Sequence, residues 1–309
     1  MSARHEPVLV AEVLQFLRNG SGLYLDATLG DGGHAEALLE VEPGARLLGA
    51  DRDPAALEFA RARLARFGGR VTLAHATFRE LPAVHREAGG EPFAGALFDL
   101  GLSSRQIDDP ARGISFSHDG PLDLRMDPSR GSSALDRLLE VGEDELADVL
   151  HEHGDVPGAR RLARVLVAAA RSGGLLTTRD LVATVDRALG GKAHPRRTAQ
   201  IFQALRIWIN GEADDLEAVL AWLPSVIRAD GVVVTLAYHS GEDRRIKQTL
   251  REPRPSVSPR RLPPAADPRL PEGPWHVITR KVVTPSNDEV ARNPRARSAR
   301  LRAFRRKSA

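Results

Sequence analysis

The chain contains no cysteine. That excludes disulfides, thiolate nucleophiles and cysteine-ligated zinc or iron–sulfur centres. Long apolar runs are missing too. Among the longest is Val165 to Ala170, bracketed by Arg164 and Arg171, whereas a membrane-spanning helix needs about 20 mostly apolar residues. The first residues include Arg4-His5-Glu6-Pro7 without a following apolar segment, so they do not read as a secretion signal. A soluble, cytoplasmic protein with no membrane partner is expected. No internal repeat is evident.

A hydrophobic content of 42% over 309 residues suits a globular protein longer than one compact core usually holds, so two lobes are expected. The net charge of +3 conceals an asymmetry: residues 290–309 carry Arg292, Arg295, Arg297, Arg300, Arg302, Arg305, Arg306 and Lys307 and no acid. Arginines release counterions when they neutralise phosphates, so this tail reads either as a phosphate-binding arm or as a solvated, frayed terminus.

Leu23 to Ala27 and Arg46 to Asp51 are short apolar stretches separated by a glycine-rich turn and a helical segment, which is the rhythm of a βαβ unit. Pro54 to Phe67 follows as a helix, and Val71 to His75 and Ala94 to Leu100 as further strands. From about Ser132 to Arg206 apolar residues recur only at helical spacing, as in Leu162/Val165/Leu166/Ala169, which predicts a helical insertion. The α/β pattern resumes with a helix from Asp214 to Leu223, a β-branched strand from Val232 to Tyr238, a helix from Glu242 to Leu250 and a late strand from Trp275 to Val283. Arg251 to Pro274, which includes Pro263-Pro264, reads as an exposed or poorly ordered loop. The expected architecture is an α/β Rossmann-like sheet in two parts, 1–130 and 209–289, with an all-helical domain over 131–208 and the basic tail over 290–309.

Asp26-Ala27-Thr28-Leu29-Gly30-Asp31-Gly32-Gly33-His34 lies where the first strand meets a helix, and Asp51 ends the next strand. Glycines allow the tight turn, the helix N-terminus offers N–H groups, and the carboxylate suits ribose hydroxyls. An adenosine-containing cofactor is predicted. NAD and S-adenosylmethionine share this layout, and Ala35 stands where the third glycine of G-x-G-x-x-G would be, so the pattern leaves both open. Asp99, at the end of the fourth strand, is expected to face the same crevice or to cap the following turn.

Longer strings carry a resemblance. Asp99-Leu100-Gly101-Leu102-Ser103-Ser104-Arg105-Gln106-Ile107-Asp108-Asp109, the run from Arg112 to Asp127, His5 to Leu9, His194 to Asn210 and Asn293 to Arg302 together resemble the ribosomal RNA small-subunit methyltransferase H family over nearly the whole chain. The resemblance implies a class I methyltransferase lobe with a helical insertion and S-adenosylmethionine as cofactor. It further implies methylation of N4 of a cytidine in the decoding region of 16S ribosomal RNA, with a small-subunit particle as partner. By motif, Gly32, Gly33 and His34 would meet the cofactor's amino-acid end, Asp51 its ribose and Phe78 its adenine, with Asp99 and Gln106 completing the site. Two departures stand out: Gly241 replaces a leucine in Tyr238-His239-Ser240-Gly241-Glu242-Asp243, and Arg105 replaces a proline.

The exocyclic amine of cytosine is a weak nucleophile because its lone pair is delocalised into the ring, so it must be held in line and its hydrogen bonds accepted. The Asp/Asn-Pro-Pro-Tyr motif of many amino-methyltransferases is absent. Asp99 is the expected catalytic group, with His239 or Asp123 as partners for the base. Arg112 and Arg125, together with Arg295, Arg297 and Arg300, are candidate phosphate contacts.

Overall fold

The computed structural model describes residues 7–250 and 273–308, so His5 and most of the proline-rich segment lie outside the described residues. The chain divides into two compact units, Met1–Gly101 with Asp215–Ala309, and Leu102–Asp214.

The first unit is built on strands β1 (Gly22–Asp26), β2 (Ala45–Asp51), β3 (Val71–His75), β4 (Phe93–Asp99), β5 (Ile227–Ala237), β6 (Trp275–Val277) and β7 (Arg300–Arg306). They form one sheet in the order β3-β2-β1-β4-β5-β7-β6. The first five are parallel, and β7 runs antiparallel between β5 and β6. This is a Rossmann-like α/β sheet, as the βαβ rhythm of the sequence predicts. Side chains alternate across it as the pleat requires. In β5, Val232, Val234 and Leu236 enter a core shared with α1 (Val10–Leu17), α2 (Gly33–Val41) and α3 (Pro54–Leu64). Val233 and Ala237 enter the opposite core, with α4 (Leu81–Glu87), α11 (Glu212–Val226) and α12 (Ser240–Thr249).

The second unit contains α5 (Ser104–Asp108), α6 (Ala134–Glu140), α7 (Glu143–Gly154), α8 (Ala159–Arg171), α9 (Thr178–Leu189) and α10 (Pro195–Asn210). Leu138, Leu150, Leu166, Val185 and Leu205 share its own core. Compactness places its start at Leu102, where periodicity suggested 131. Residues 102–130 lack a helical period, yet Leu122 and Leu124 are buried in the helical core. A backbone bond from Leu122 N to Leu176 O (3.0 Å) and a side-chain bond from Asn210 Nδ2 to Leu124 O (2.9 Å) tie that loop to the helices.

The C-terminus is neither a frayed end nor a free arm, because β7 is an interior strand. Leu301, Ala303 and Phe304 are buried, and the preceding segment forms α13 (Asn287–Arg292) and a turn over Pro294–Ser298. The apolar alternation was hidden by interleaved arginines, among them Arg302 and Arg306, which have structural partners. Arg302 Nε donates to Asp243 Oδ1 (2.5 Å), and Arg306 Nε to Pro224 O (3.2 Å). Burial opposes ionisation of Asp243, but Arg302 and Lys247 together outweigh it and hold the carboxyl below its usual range. The late strand covers only Trp275–Val277, with Val283 making a lone bridge to Leu301.

If β7 is part of the core, Leu301→Ala will cost about 2–5 kcal/mol in urea denaturation, whereas Arg305→Ala, at an exposed position, will stay within about 0.5 kcal/mol. Equal, negligible effects would return the segment to the status of a tail.

Candidate cofactor and active site

In this strand order the chain reverses direction of growth between β1 and β4. Open α/β sheets bind ligands outside the carboxyl ends of their strands at such a point. Here β1 and β4 end in Asp26 and Asp99, and the neighbouring β2 ends in Asp51.

The loop after β1 is laced to all three ends. Thr28 N donates to Asp26 Oδ1 (3.2 Å), and Asp99 N donates to Thr28 Oγ1 (2.6 Å). Asp51 accepts Gly30 N on Oδ2 (2.7 Å) and Asp53 N on Oδ1 (2.8 Å). Gly30 and Gly32 have φ of +53° and +80°, a region that L side chains enter only with strain. Gly32 caps α2 in this conformation. Gly33 is needed for packing, since a Cβ there would lie 2.6 Å from Pro7 Cγ.

Confinement raises the affinity of these carboxyls for protons. Burial, reinforced by the charges of Asp99 and Asp51, pushes Asp26 up to about 8 against the opposing Thr28 N–H. Burial likewise pushes Asp51 up to about 6, opposed by the N–H groups of Asp53 and Gly30. Such an edge favours a ligand that brings positive charge and hydroxyl donors, which offset the repulsion between carboxylates. Asp26 had no role in the sequence reading. Its signal was the strand-end position it shares with Asp51 and Asp99.

His34 is buried in the first turn of α2, with Nε2 2.9 Å from Val8 O. A carbonyl only accepts, so Nε2 carries the proton. Its Nδ1 lies 3.8 Å from Asp99 Oδ2. The other oxygen of Asp99 accepts the Tyr238 hydroxyl at 2.9 Å. Burial first, then the charge of Asp99, drive the Tyr238 phenol far above its ordinary value, so it remains a neutral donor. Gly101 leaves room for that ring, as a Cβ would approach Tyr238 Cδ2 to 3.3 Å.

His239 is the N-cap of α12, in a reciprocal box with Glu242. Its Nδ1 accepts Glu242 N at 3.4 Å and its Nε2 lies 3.0 Å from Glu242 Oε1. A Cβ on Gly241 would be 3.1 Å from His239 Nδ1, so the leucine-to-glycine departure gives the imidazole its space. Phe78, half-buried after β3, meets Phe98 of β4 edge to face with centroids 5.6 Å apart.

Within the second unit, Gln106 is buried and closes a capping box with Ser103. Arg125 grips Asp123 with two bonds of 2.7 Å and donates to Gly131 O (2.9 Å), while Arg112 donates to Met126 O (2.7 Å). Arg295 and Arg297 are exposed in the turn before β7, and Arg300 Nη1 lies 3.8 Å from Asp243 Oδ2.

A model of the MraW methylase family matches residues 2–307. The chain belongs to the MraW methylase family. Among curated relatives of this methylase, ribosomal RNA small subunit methyltransferase H of Sorangium cellulosum is 47% identical, covering 98% of this chain and 91% of the relative. The protein of the same name from an Anaeromyxobacter species is 45% identical over 97% of both chains, and that of Thermomicrobium roseum is 42% identical over 99% and 94%. The chain that carries these strand-end carboxylates is therefore a methyltransferase.

Because Asp26 is protonated more readily in the folded chain than when exposed, it contributes stability that is lost as pH rises from about 4, its unfolded value, through about 8. In Asp26→Asn that loss is absent. The melting temperature of the variant relative to wild type will climb between pH 5 and pH 9, and a pH-independent difference would contradict the assignment.

Proposed function

We propose that this methylase transfers the methyl group of S-adenosylmethionine to N4 of a cytidine in the decoding region of 16S ribosomal RNA, within a small-subunit particle. The observation that carries the cofactor half is the convergence of Asp26, Asp51 and Asp99 on one glycine turn in a chain of this family. The RNA half rests on the names of relatives at 42–47% identity and on the resemblance.

When bound, S-adenosylmethionine supplies an electrophilic methyl on a positively charged sulfur. The residues fit it. Asp51 keeps lone pairs for ribose hydroxyls beside the two backbone donors it already holds. At the N-terminus of α2 Gly33 and His34 offer N–H groups to the carboxylate of the amino-acid end, Gly32 shapes the turn beneath it with its own N–H given to Leu29 O (2.8 Å), and Phe78 flanks the adenine. Gln106 keeps the role that the resemblance implies. Asp99 accepts a hydrogen bond from the cytosine amine and takes the proton that N4 sheds as the new bond forms, with its rotamer held by Tyr238. His239 contacts the base as a positioning group, since its Nδ1 is held by Glu242 N while its buried Nε2 has no hydrogen-bond partner among the described residues.

A stacked cytosine must leave its helix to be methylated. Arg295, Arg297 and Arg300 would hold the phosphates beside it. Arg112, Asp123 and Arg125 are engaged with one another or with backbone, so an RNA contact by any of them exchanges an existing bond.

Two tests follow from this chemistry. Ionised Asp51 favours the cation, so the Kd for S-adenosylmethionine will fall as pH rises from 5 to 7 through its value of about 6. S-adenosylhomocysteine, without the sulfonium charge, will show a shallower fall, and identical slopes would remove the electrostatic argument. In cells lacking the gene, mass spectrometry of 16S rRNA nucleosides will show loss of N4-methylcytidine, restored by wild type. Asp99→Asn will restore little, with turnover down about a hundredfold or more. N4-methylcytidine that persists in the deletion strain would sink the proposal.

A further inference from the structure

Asp215 lies in the first turn of α11 and is buried, yet no motif singles it out. Its two carboxylate oxygens are divided between two loops. Oδ2 accepts Arg52 Nη2 at 2.6 Å, and Oδ1 accepts Arg79 Nε at 2.7 Å. Arg52 directly follows Asp51 at the end of β2, and Arg79 directly follows Phe78 after β3.

These loops are already cross-linked near the strand ends. Ala76 N donates to Asp51 O (3.0 Å), and His75 Nε2 lies 3.0 Å from Arg52 O. What those bonds do not set is the outward position of the loop tips. Asp215 supplies that constraint from the helix layer, with charge-assisted bonds that are stronger and more directional than neutral ones.

We infer that Asp215 is a positioning residue for the adenosine half of the cofactor, holding the ribose carboxylate Asp51 and the adenine-flanking Phe78 in register through Arg52 and Arg79. The inference rests on the cofactor reading above. Asp215 touches no ligand atom and acts on binding alone. The sulfonium and amino-acid end are served by other elements, so the effect falls equally on ligands that share only adenosine.

The test is calorimetric titration of the full chain with S-adenosylmethionine, S-adenosylhomocysteine and adenosine. Asp215→Asn should weaken all three by a similar factor of about 10, a scale set by the loss of one charge-assisted contact. Arg79→Ala, at a side chain 57% exposed and so tolerant of truncation, should weaken them about threefold. The double variant should bind no worse than Asp215→Asn, because both changes break one clamp. At saturating cofactor, kcat and the KM for RNA should stay within about twofold of wild type.

Wild-type Kd in both single variants, even with a lowered melting temperature, would reduce Asp215 to a structural ion pair and overturn the inference. A loss confined to kcat or to the KM for RNA would overturn it as well. Failure of wild type itself to bind S-adenosylmethionine would instead overturn the cofactor reading beneath it.

Discussion

Parallel pairing of β1, β2 and β4 brings three aspartates to one edge of the sheet, and the rest of the site is arranged around the free energy of keeping them there. Carboxylates in a water-poor crevice repel one another and lose hydration. The chain offsets this with backbone N–H groups from Thr28, Gly30 and Asp53. The compensation is partial, as the raised values at Asp26 and Asp51 show. A cationic, hydroxyl-bearing ligand would complete it, which is the physical basis of the proposed cofactor site.

The same economy governs the side chains next to the aspartates. His34 is spent on the Val8 carbonyl, His239 on the first turn of α12, and Tyr238 on Asp99. Each fixes a backbone or a rotamer within reach of the crevice, which is the preorganisation that in-line transfer needs. The helical unit follows suit: the Asp123–Arg125 pair and Arg112 stabilise the loop that leads into it.

Local patterning carried much of this architecture. The first four strands were legible as short apolar runs, and α6 to α10 of the second unit from their 3.6-residue period. The short helices α1 and α4 were not read, being brief enough that a few apolar residues make no period. The C-terminal strand escaped because Leu301, Ala303 and Phe304 are interleaved with arginines, and a charge count outweighs a short alternation until a partner strand is known.

For the site, residue order determined which groups stand at strand ends, because a strand followed by a glycine turn and a helix must place its last carboxylate beyond the sheet. Gly30, Gly32, Asp51 and Asp99 were readable on that ground, and the long strings from Asp99 onward added the family. Asp26 stands on the same ground, as the last residue of β1 before the glycine turn. Tertiary structure alone decided that Tyr238 reaches Asp99 across 139 positions. It also decided that Asp215 meets Arg52 and Arg79 across 163 and 136. Those contacts depend on the crossover order of the sheet and on which helix covers which face. Sequence periodicity reports which side of an element is apolar and says nothing of the neighbour it will meet.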